Sequence, residues 1–156
     1  MTQDTGRQPI YTAEAHVTGG RAQGHGRTSD GMLEVDLRSP VEMGGEGGGT
    51  NPEQLFAIGF AACFESALGV AARRARAEAG DVEIESQVML VPTKERAYQL
   101  AVVLDVRLPS VDDPAQAVEL VRAAHQVCPY SNATRGNIYI TLTANGAPVE
   151  VSEPGA

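Results

Sequence analysis

The sequence contains few aromatic residues and few cysteines, and fewer basic residues than acidic ones. Its 156 residues include no tryptophan, three phenylalanines and two cysteines, and 12 lysines and arginines stand against 20 aspartates and glutamates. Two cysteines cannot build the disulfide framework of a small secreted domain. The formal net charge of −8 disfavours nucleic acid or an anionic membrane surface as a partner, because both repel an acidic protein.

Two further absences concern location. No uninterrupted apolar run reaches about 18 residues, so we expect no membrane span. The first residues, MTQDTGRQPIYTAEA, lack the apolar core and cleavage site of a secretory signal, so we expect a cytoplasmic protein. A chain of this length can bury a core as one domain, residues 1–156, in which residues 1–9 form a flexible tail.

Hydrophobic periodicity predicts the secondary structure. Apolar residues alternate with polar ones in five segments, which we predict to be strands: 11–17, 33–37, 82–90, 100–108 and 138–142. A helix should begin at Asn51-Pro52 and run to about Gly80, and it is apolar nearly all round, as a buried central helix is. A second helix should begin at Asp113-Pro114. The order β-β-α-β-β-α-β with hairpin connections indicates an α+β fold of antiparallel sheets around the central helix.

The two cysteines lie in different settings. Cys63 is in the middle of the central helix, among the phenylalanines, and Cys128 directly precedes Pro129, which should end the second helix. Cys128 is therefore expected at a helix terminus that can move toward a rigidly held Cys63. Each cysteine alone fits passive packing as a small apolar residue.

The residues by themselves leave three functional interpretations open. The spacing of His125 and Cys128, with Cys63 as a third ligand, allows a metal site, although structural zinc usually has four ligands. A hydrolase would pair Cys63 with one of the three histidines, His16, His25 or His125. A redox pair would need the Cα atoms of the two cysteines within about 7 Å. In that case an apolar site raises the thiol pKa, so Cys63 needs a nearby cation.

Three segments resemble the signature blocks of a known family. They are VTGGRAQG at 17–24, GGEGGGTNPEQLFAIGFAACFESAL at 44–68, and AHQVCPYSNATRGN at 124–137. They are similar to the organic hydroperoxide resistance branch of the osmotically inducible protein C family, and the likeness runs from about residue 10 to about residue 145. The resemblance implies an intertwined homodimer that reduces alkyl or fatty-acid hydroperoxides to alcohols through thiol chemistry.

The resemblance also implies roles for individual residues. Cys63 would attack the peroxide and become a sulfenic acid, and Cys128 would resolve it as a disulfide. Arg21 would stabilise the thiolate and orient the peroxide, and Glu53 would hold Arg21 in an ion pair. Arg27 is a rival for the role of Arg21, but the GGR context favours Arg21. A lipoylated protein carrying dihydrolipoamide would re-reduce the disulfide, and neither a metal nor a flavin nor any other cofactor is implied.

Other residues concern the substrate and the assembly. Phe60, Phe64 and Tyr130 are candidates for the pocket that holds the alkyl tail. Glu53 and Cys63 are ten residues apart on one helix, about 15 Å along its axis, so they cannot share a site within that helix. We therefore expect Glu53 and Arg21 to reach Cys63 from a partner subunit.

Two alternatives accompany this interpretation. The family resemblance also permits a broader peroxidase that accepts hydrogen peroxide. The second alternative is a non-catalytic domain that binds a ligand or senses oxidants. Glu46, Ile58 and Phe60 depart from the residues common in the family, which bears on substrate preference and not on the thiol chemistry.

Overall fold

The structure is a computed structural model that describes residues 6–155. Its contacts group the chain into two compact units, the first ending at Pro52 and the second beginning at Glu53. Each unit is described by itself, and the single domain expected over the whole chain stays a prediction. Of the expected tail, residues 1–5 lie outside the described residues.

The first unit is a three-stranded antiparallel sheet. Its strands β1 (Ala15–Thr18), β2 (Gly24–Thr28) and β3 (Glu34–Arg38) lie in the order β1-β2-β3. A one-turn helix, α1 (Gly20–Gln23), connects β1 to β2. A 3₁₀ turn (Val41–Met43) follows β3.

The turn before α1 depends on glycine. Gly19 has φ 74°, and a Cβ on it would lie 2.3 Å from the carbonyl oxygen of Gln23, so a larger residue would strain the backbone and collide with it. This turn places Arg21 on α1. The sequence pattern did not reveal β2, because Gly24 and Gly26 supply no side chains to an alternating pattern.

The second unit has a four-stranded sheet and three helices. The helices are α2 (Pro52–Arg74), α3 (Pro114–Val127) and α4 (Pro129–Thr134), and the strands are β4 (Glu83–Pro92), β5 (Tyr98–Arg107), β6 (Tyr139–Ala144) and β7 (Ala147–Val149). The strand order is β4-β5-β6-β7. The β4–β5 and β6–β7 pairs are antiparallel, whereas β5 and β6 are parallel. A parallel pair requires a crossover connection, and α3 with α4 forms it.

The α+β class is confirmed, with four differences in detail. Helix α2 ends at Arg74 and not near Gly80, the segment after Pro129 is a helix and not a turn, and β7 adds a strand beyond the expected last one. The mixed sheet replaces the purely antiparallel one that hairpin connections suggested.

The core of the second unit lies on one face of this sheet. In β5, Val102, Leu104 and Val106 are buried, and each is in register with a buried residue of β6. Helices α2 and α3 cover this face with apolar side chains: Phe60, Phe64, Leu68, Leu120, Val121 and Ala124. Each fully buried large apolar side chain contributes about 1.5–3 kcal/mol to folding.

Helix α2 is buried along one stripe only. Phe60, Phe64 and Leu68 are wholly inaccessible, whereas Ile58 on another side is 73% exposed. The expected burial on all sides is therefore not present within the described chain. By length and composition alone α2 is the one helix among residues 6–155 that could cross a membrane, and core helices share this property. Its buried stripe within the apolar core makes α2 a core helix.

Candidate active site

The two cysteines meet within the second unit. The Sγ atoms of Cys63 on α2 and Cys128 at the α3–α4 junction are 3.6 Å apart, although 65 residues separate them in sequence. Both are free thiols in this structure. The separation is about 1.5 Å longer than a disulfide bond, so a small displacement would join the sulfurs.

The two thiols differ in their access to solvent. Cys128 is wholly inaccessible, whereas Cys63 is partly exposed and packs against the edge of the core. A dissolved oxidant therefore reaches Cys63 before it reaches Cys128.

Cys128 is held by its own backbone and by the next residues. Its N–H donates to the carbonyl of Ala124 at 2.9 Å, and its carbonyl accepts from the N–H of Asn132 at 2.9 Å. The N–H of Ser131 points at its Sγ from 3.5 Å. In this structure these contacts hold Cys128 with its sulfur facing Cys63, and the expected movement of this terminus stays a prediction.

The pKa of the Cys63 thiol lies above its usual value. Burial is the main cause, the neighbouring Cys128 adds to it, and a hydrogen bond from the backbone N–H of Tyr130 opposes both. The backbone N–H of Tyr130 thus donates to the sulfur of Cys63, and the backbone N–H of Ser131 donates to the sulfur of Cys128. A thiolate at Cys63 still requires a cation beside it, as the sequence predicts.

The predicted pocket residues lie beside the thiols but differ in exposure. Phe60 and Phe64 are wholly buried, whereas Tyr130 is 38% exposed. The Tyr130 ring centroid is 5.7 Å from those of Phe56 and Phe60. The binding role of Phe60, Phe64 and Tyr130 stays a prediction.

Sequence reasoning missed Gly59 as part of this arrangement. A Cβ on Gly59 would lie 3.2 Å from the Tyr130 hydroxyl oxygen, so the absence of a side chain makes room for the ring over α2. A glycine four residues before Cys63, inside a strong helical pattern, was the available signal, because glycine weakens a helix unless packing requires it.

The other two predicted catalytic residues lie on two different helices. Arg21 lies on α1 in the first unit, and Glu53 lies in the first turn of α2. Helix α2 is continuous from Glu53 to Cys63, which separates them by about 15 Å along the axis. Arg27, the rival of Arg21, lies on β2 with its Nε 3.9 Å from Oε2 of Glu34. The roles of Arg21 and Glu53 stay predictions.

The three histidines occupy other environments. His16 is on β1, and His25 on β2 is hydrogen-bonded to Asp36 at 2.9 Å and Glu34 at 3.0 Å. His125 is buried near the end of α3, where burial and the charge of Arg135 lower its pKa to about 4. Among residues 6–155 no three His, Cys, Asp or Glu side chains cluster closely enough to hold a metal ion.

Comparison with known proteins shows which family this chain resembles. Residues 45–143, which include both cysteines, match the family model described as OsmC-like protein. An organic hydroperoxide resistance protein of Xanthomonas axonopodis pv. citri (strain 306) is 49% identical over 138 residues, covering 86% of this chain and 94% of that one. The organic hydroperoxide resistance protein OhrB of Bacillus subtilis (strain 168) is 44% identical, covering 85% and 96%.

Solved structures resemble the fold of this chain. The crystal structure of an organic hydroperoxide resistance protein from Legionella pneumophila has 47% sequence identity and a TM-score of 0.82, covering 86% of this chain and 97% of that chain. At this identity and coverage the likeness extends over nearly the whole described fold.

Proposed function

The chain belongs to the OsmC-like protein family, and we propose that it acts in the cytoplasm as a cysteine peroxidase that gives resistance to organic hydroperoxides. The observation that carries the proposal is the 3.6 Å separation between a partly exposed thiol, Cys63, and a buried one, Cys128. Peroxide reduction by two thiols requires one sulfur that the oxidant reaches and a second sulfur within bonding reach of the first.

The first step oxidises Cys63. Its thiolate attacks the terminal oxygen of the hydroperoxide ROOH, an S–O bond forms, and the O–O bond breaks. The departing alkoxide takes a proton and leaves as the alcohol ROH. Cys63 loses two electrons and becomes a sulfenic acid, and the peroxide is reduced by the same two electrons.

The second step joins the two sulfurs. The sulfur of Cys128 attacks the sulfur of the Cys63 sulfenic acid, an S–S bond forms, and hydroxide leaves and takes the Cys128 proton as water. The buried position of Cys128 keeps it from competing for the oxidant in the first step. An external dithiol then returns two electrons and two protons through a mixed disulfide, and we propose a lipoylated protein as its source.

Arg21 and Glu53 complete the proposed site. The pKa of Cys63 is raised by burial, so a guanidinium beside the sulfur would favour the reactive thiolate, and a carboxylate would hold the guanidinium through two hydrogen bonds. Since α2 separates Glu53 from Cys63, we propose that Arg21 and Glu53 come from the partner subunit of a homodimer.

Mixed dimers test this arrangement. Arg21→Met and Cys63→Ser chains are each expected to be inactive as homodimers. When they are mixed and allowed to exchange, a site formed by Cys63 of one chain and Arg21 of the other should restore about a quarter of the wild-type activity. Activity that stays absent in a verified mixed dimer would show that Arg21 acts within its own chain. Glu53→Gln in place of Arg21→Met tests the carboxylate in the same way.

A count of thiols tests the activity itself. Reduced protein is treated with one equivalent of cumene hydroperoxide, and free thiols and cumyl alcohol are measured. We expect both thiols to disappear with release of one alcohol, and Cys63→Ser to release none. Two unreacted thiols in the wild-type protein would end the peroxidase proposal and favour a binding domain.

Two additions to the same assay define the substrate and reductant. Hydrogen peroxide in place of cumene hydroperoxide separates a hydroperoxide-specific enzyme from a broader peroxidase, and we expect the organic substrate to react faster. Dihydrolipoamide is expected to sustain turnover and thioredoxin is not. Oxidation without turnover under either reductant would instead favour an oxidant sensor.

A further inference from the structure

Arg135 joins the two helices on either side of Cys128. Its Nη2 donates to the backbone carbonyl of His125, near the end of α3, and to Oδ1 of Asn132 on α4 at 2.9 Å. Its Nε lies 3.4 Å from Nε2 of the His125 ring. One guanidinium thus contacts the last turn of α3 and the body of α4.

The sequence explains why the carbonyl of His125 lacks its usual helical donor. In a continuing helix the carbonyl of His125 would accept from the N–H of residue 129, but residue 129 is proline and has no N–H. His125 is only 3% exposed, and a buried carbonyl without a donor costs about 1–3 kcal/mol. The guanidinium of Arg135 supplies the missing donor, and a charged donor makes a stronger hydrogen bond than a neutral one.

The same contact fixes the geometry of the junction. Cys128 is the single residue between α3 and α4, with extended backbone angles of φ −62° and ψ 122°. Rotation of α4 relative to α3 would pivot at this residue and move its Sγ. It would also move the N–H of Tyr130, which lowers the pKa of Cys63. A link between the helix ends resists that rotation.

We propose that Arg135 is the positioning residue of the resolving thiol: by bonding His125 and Asn132 it holds the Cys128 junction so that its sulfur faces Cys63. Arg135 does not touch either sulfur, so it acts through the position of Cys128. The role in peroxide reduction rests on the proposed function, but the alignment of the two thiols does not.

A matched control lies close by. Arg122 on α3 lines the same cavity as Arg135, a cavity of about 330 Å³, and pairs with Glu119 of its own helix. Arg122→Met therefore removes one arginine from the same cavity without removing the link to α4. Arg135→Lys keeps the charge and gives up the planar fork that reaches two acceptors.

The first experiment measures alignment without peroxide. The Cys63–Cys128 pair is equilibrated with oxidised and reduced dithiothreitol, and the fraction of disulfide gives the effective concentration of one thiol at the other. We expect Arg135→Met to lower this value by about 10- to 100-fold, Arg135→Lys to lie between, and Arg122→Met to match the wild type. An effective concentration in Arg135→Met equal to that of the wild type would overturn the proposal. If the methionine variant does not fold, the lysine variant decides by the same criterion.

The second experiment separates the two reaction steps. Dimedone traps the Cys63 sulfenic acid during reaction with cumene hydroperoxide. In Arg135→Met we expect alcohol release to slow less than disulfide formation, so that the trapped fraction rises. Equal slowing of both steps would indicate a general structural effect and would overturn the positioning role. A wild-type protein that forms the disulfide with dithiothreitol but releases no alcohol would end the proposed function and leave the alignment by Arg135 intact.

Discussion

The ring of Tyr130 lies over Gly59, with its hydroxyl oxygen 3.2 Å from the position that a Cβ on Gly59 would occupy. Gly59 is one turn before Cys63 on α2, and Tyr130 is two residues after Cys128. The pair therefore connects the helix of one thiol to the segment of the other. The partly exposed Tyr130 side chain can shift by the few tenths of an ångström that an added methyl group would require.

Gly59→Ala is expected to alter substrate preference more than stability. Alanine favours a helix over glycine by about 0.5–1 kcal/mol, which offsets the tight contact with Tyr130. A displaced ring should change the ratio of rate constants for cumene hydroperoxide and hydrogen peroxide by several-fold. Gly69→Ala is the matched control, because a Cβ there would make an ordinary contact at 3.7 Å with Arg73. An unchanged ratio in Gly59→Ala would show that Tyr130 does not border the substrate.

Cys128→Ser should separate oxidation from resolution. The first equivalent of cumene hydroperoxide should still release alcohol, because Cys63 remains partly exposed. The sulfenic acid then has no partner and should proceed to sulfinic acid with excess peroxide. Mass spectrometry of the intact chain measures this as the addition of two oxygen atoms. Alcohol release that disappears in Cys128→Ser would mean that Cys63 alone is not the attacking thiol.

Stability should decrease in mild acid because of His125. Its pKa is lowered from 6.5 to about 4 by burial and by Arg135, so the unfolded chain binds the proton more readily than the folded protein does. The contribution of His125 is therefore fully present above pH 6.5 and is lost as the pH falls toward 4. A shift of this size corresponds to about 3 kcal/mol.

His125→Gln isolates this effect, since it removes the titrating group and leaves the other histidines in place. The free energy of unfolding is measured by urea denaturation across the same pH range for both proteins. The loss of stability on acidification should be smaller in the variant. Parallel curves for the two proteins would show that His125 protonates equally well in the folded state.

Ser86→Ala should leave stability unchanged or raise it by about 1 kcal/mol. The Ser86 hydroxyl is buried opposite Leu104, and no partner for it lies within the described part of the chain. Removing an unpaired buried hydroxyl removes its desolvation cost. Thr141→Ala, at an exposed position of β6, is the control and should change stability by less than about 0.5 kcal/mol. A clear loss of stability in Ser86→Ala would show that the hydroxyl is bonded in solution.

Much of the fold follows from local signals. The β4–β5 hairpin was predictable because apolar residues alternate along both strands, with Ser86 as the exception in β4, and α3 was predictable because Asp113 caps it. The Asp113 carboxylate accepts from the N–H of Ala115 at 3.0 Å, as a capping residue does. These features depend on residues that are neighbours in sequence, so they can be predicted from local patterns.

What remained hidden depends on distant contacts. Strand β2 contains two glycines and is defined by its neighbours β1 and β3, and α4 is six turn-forming residues held by its junction with α3. The parallel pairing of β5 with β6 has no local signature. The resemblance implied that the two cysteines pair, but the 3.6 Å between their sulfurs depends on how α2 packs against the α3–α4 junction. The link from Arg135 to His125 required knowing that Pro129 leaves a carbonyl without a donor.

The crossover between β5 and β6 also determines when the thiols meet. Cys128 lies within that connection, so its position depends on two strands whose paired residues, such as Leu104 and Leu142, are far apart in sequence. Contacts of this kind form late, because closing a long loop costs conformational entropy before the contact can stabilise the chain. During synthesis Cys63 emerges well before the residues that complete this pairing. A growing chain therefore carries Cys63 as its only thiol until residue 128 is added, and the paired thiols exist only once the chain is nearly complete.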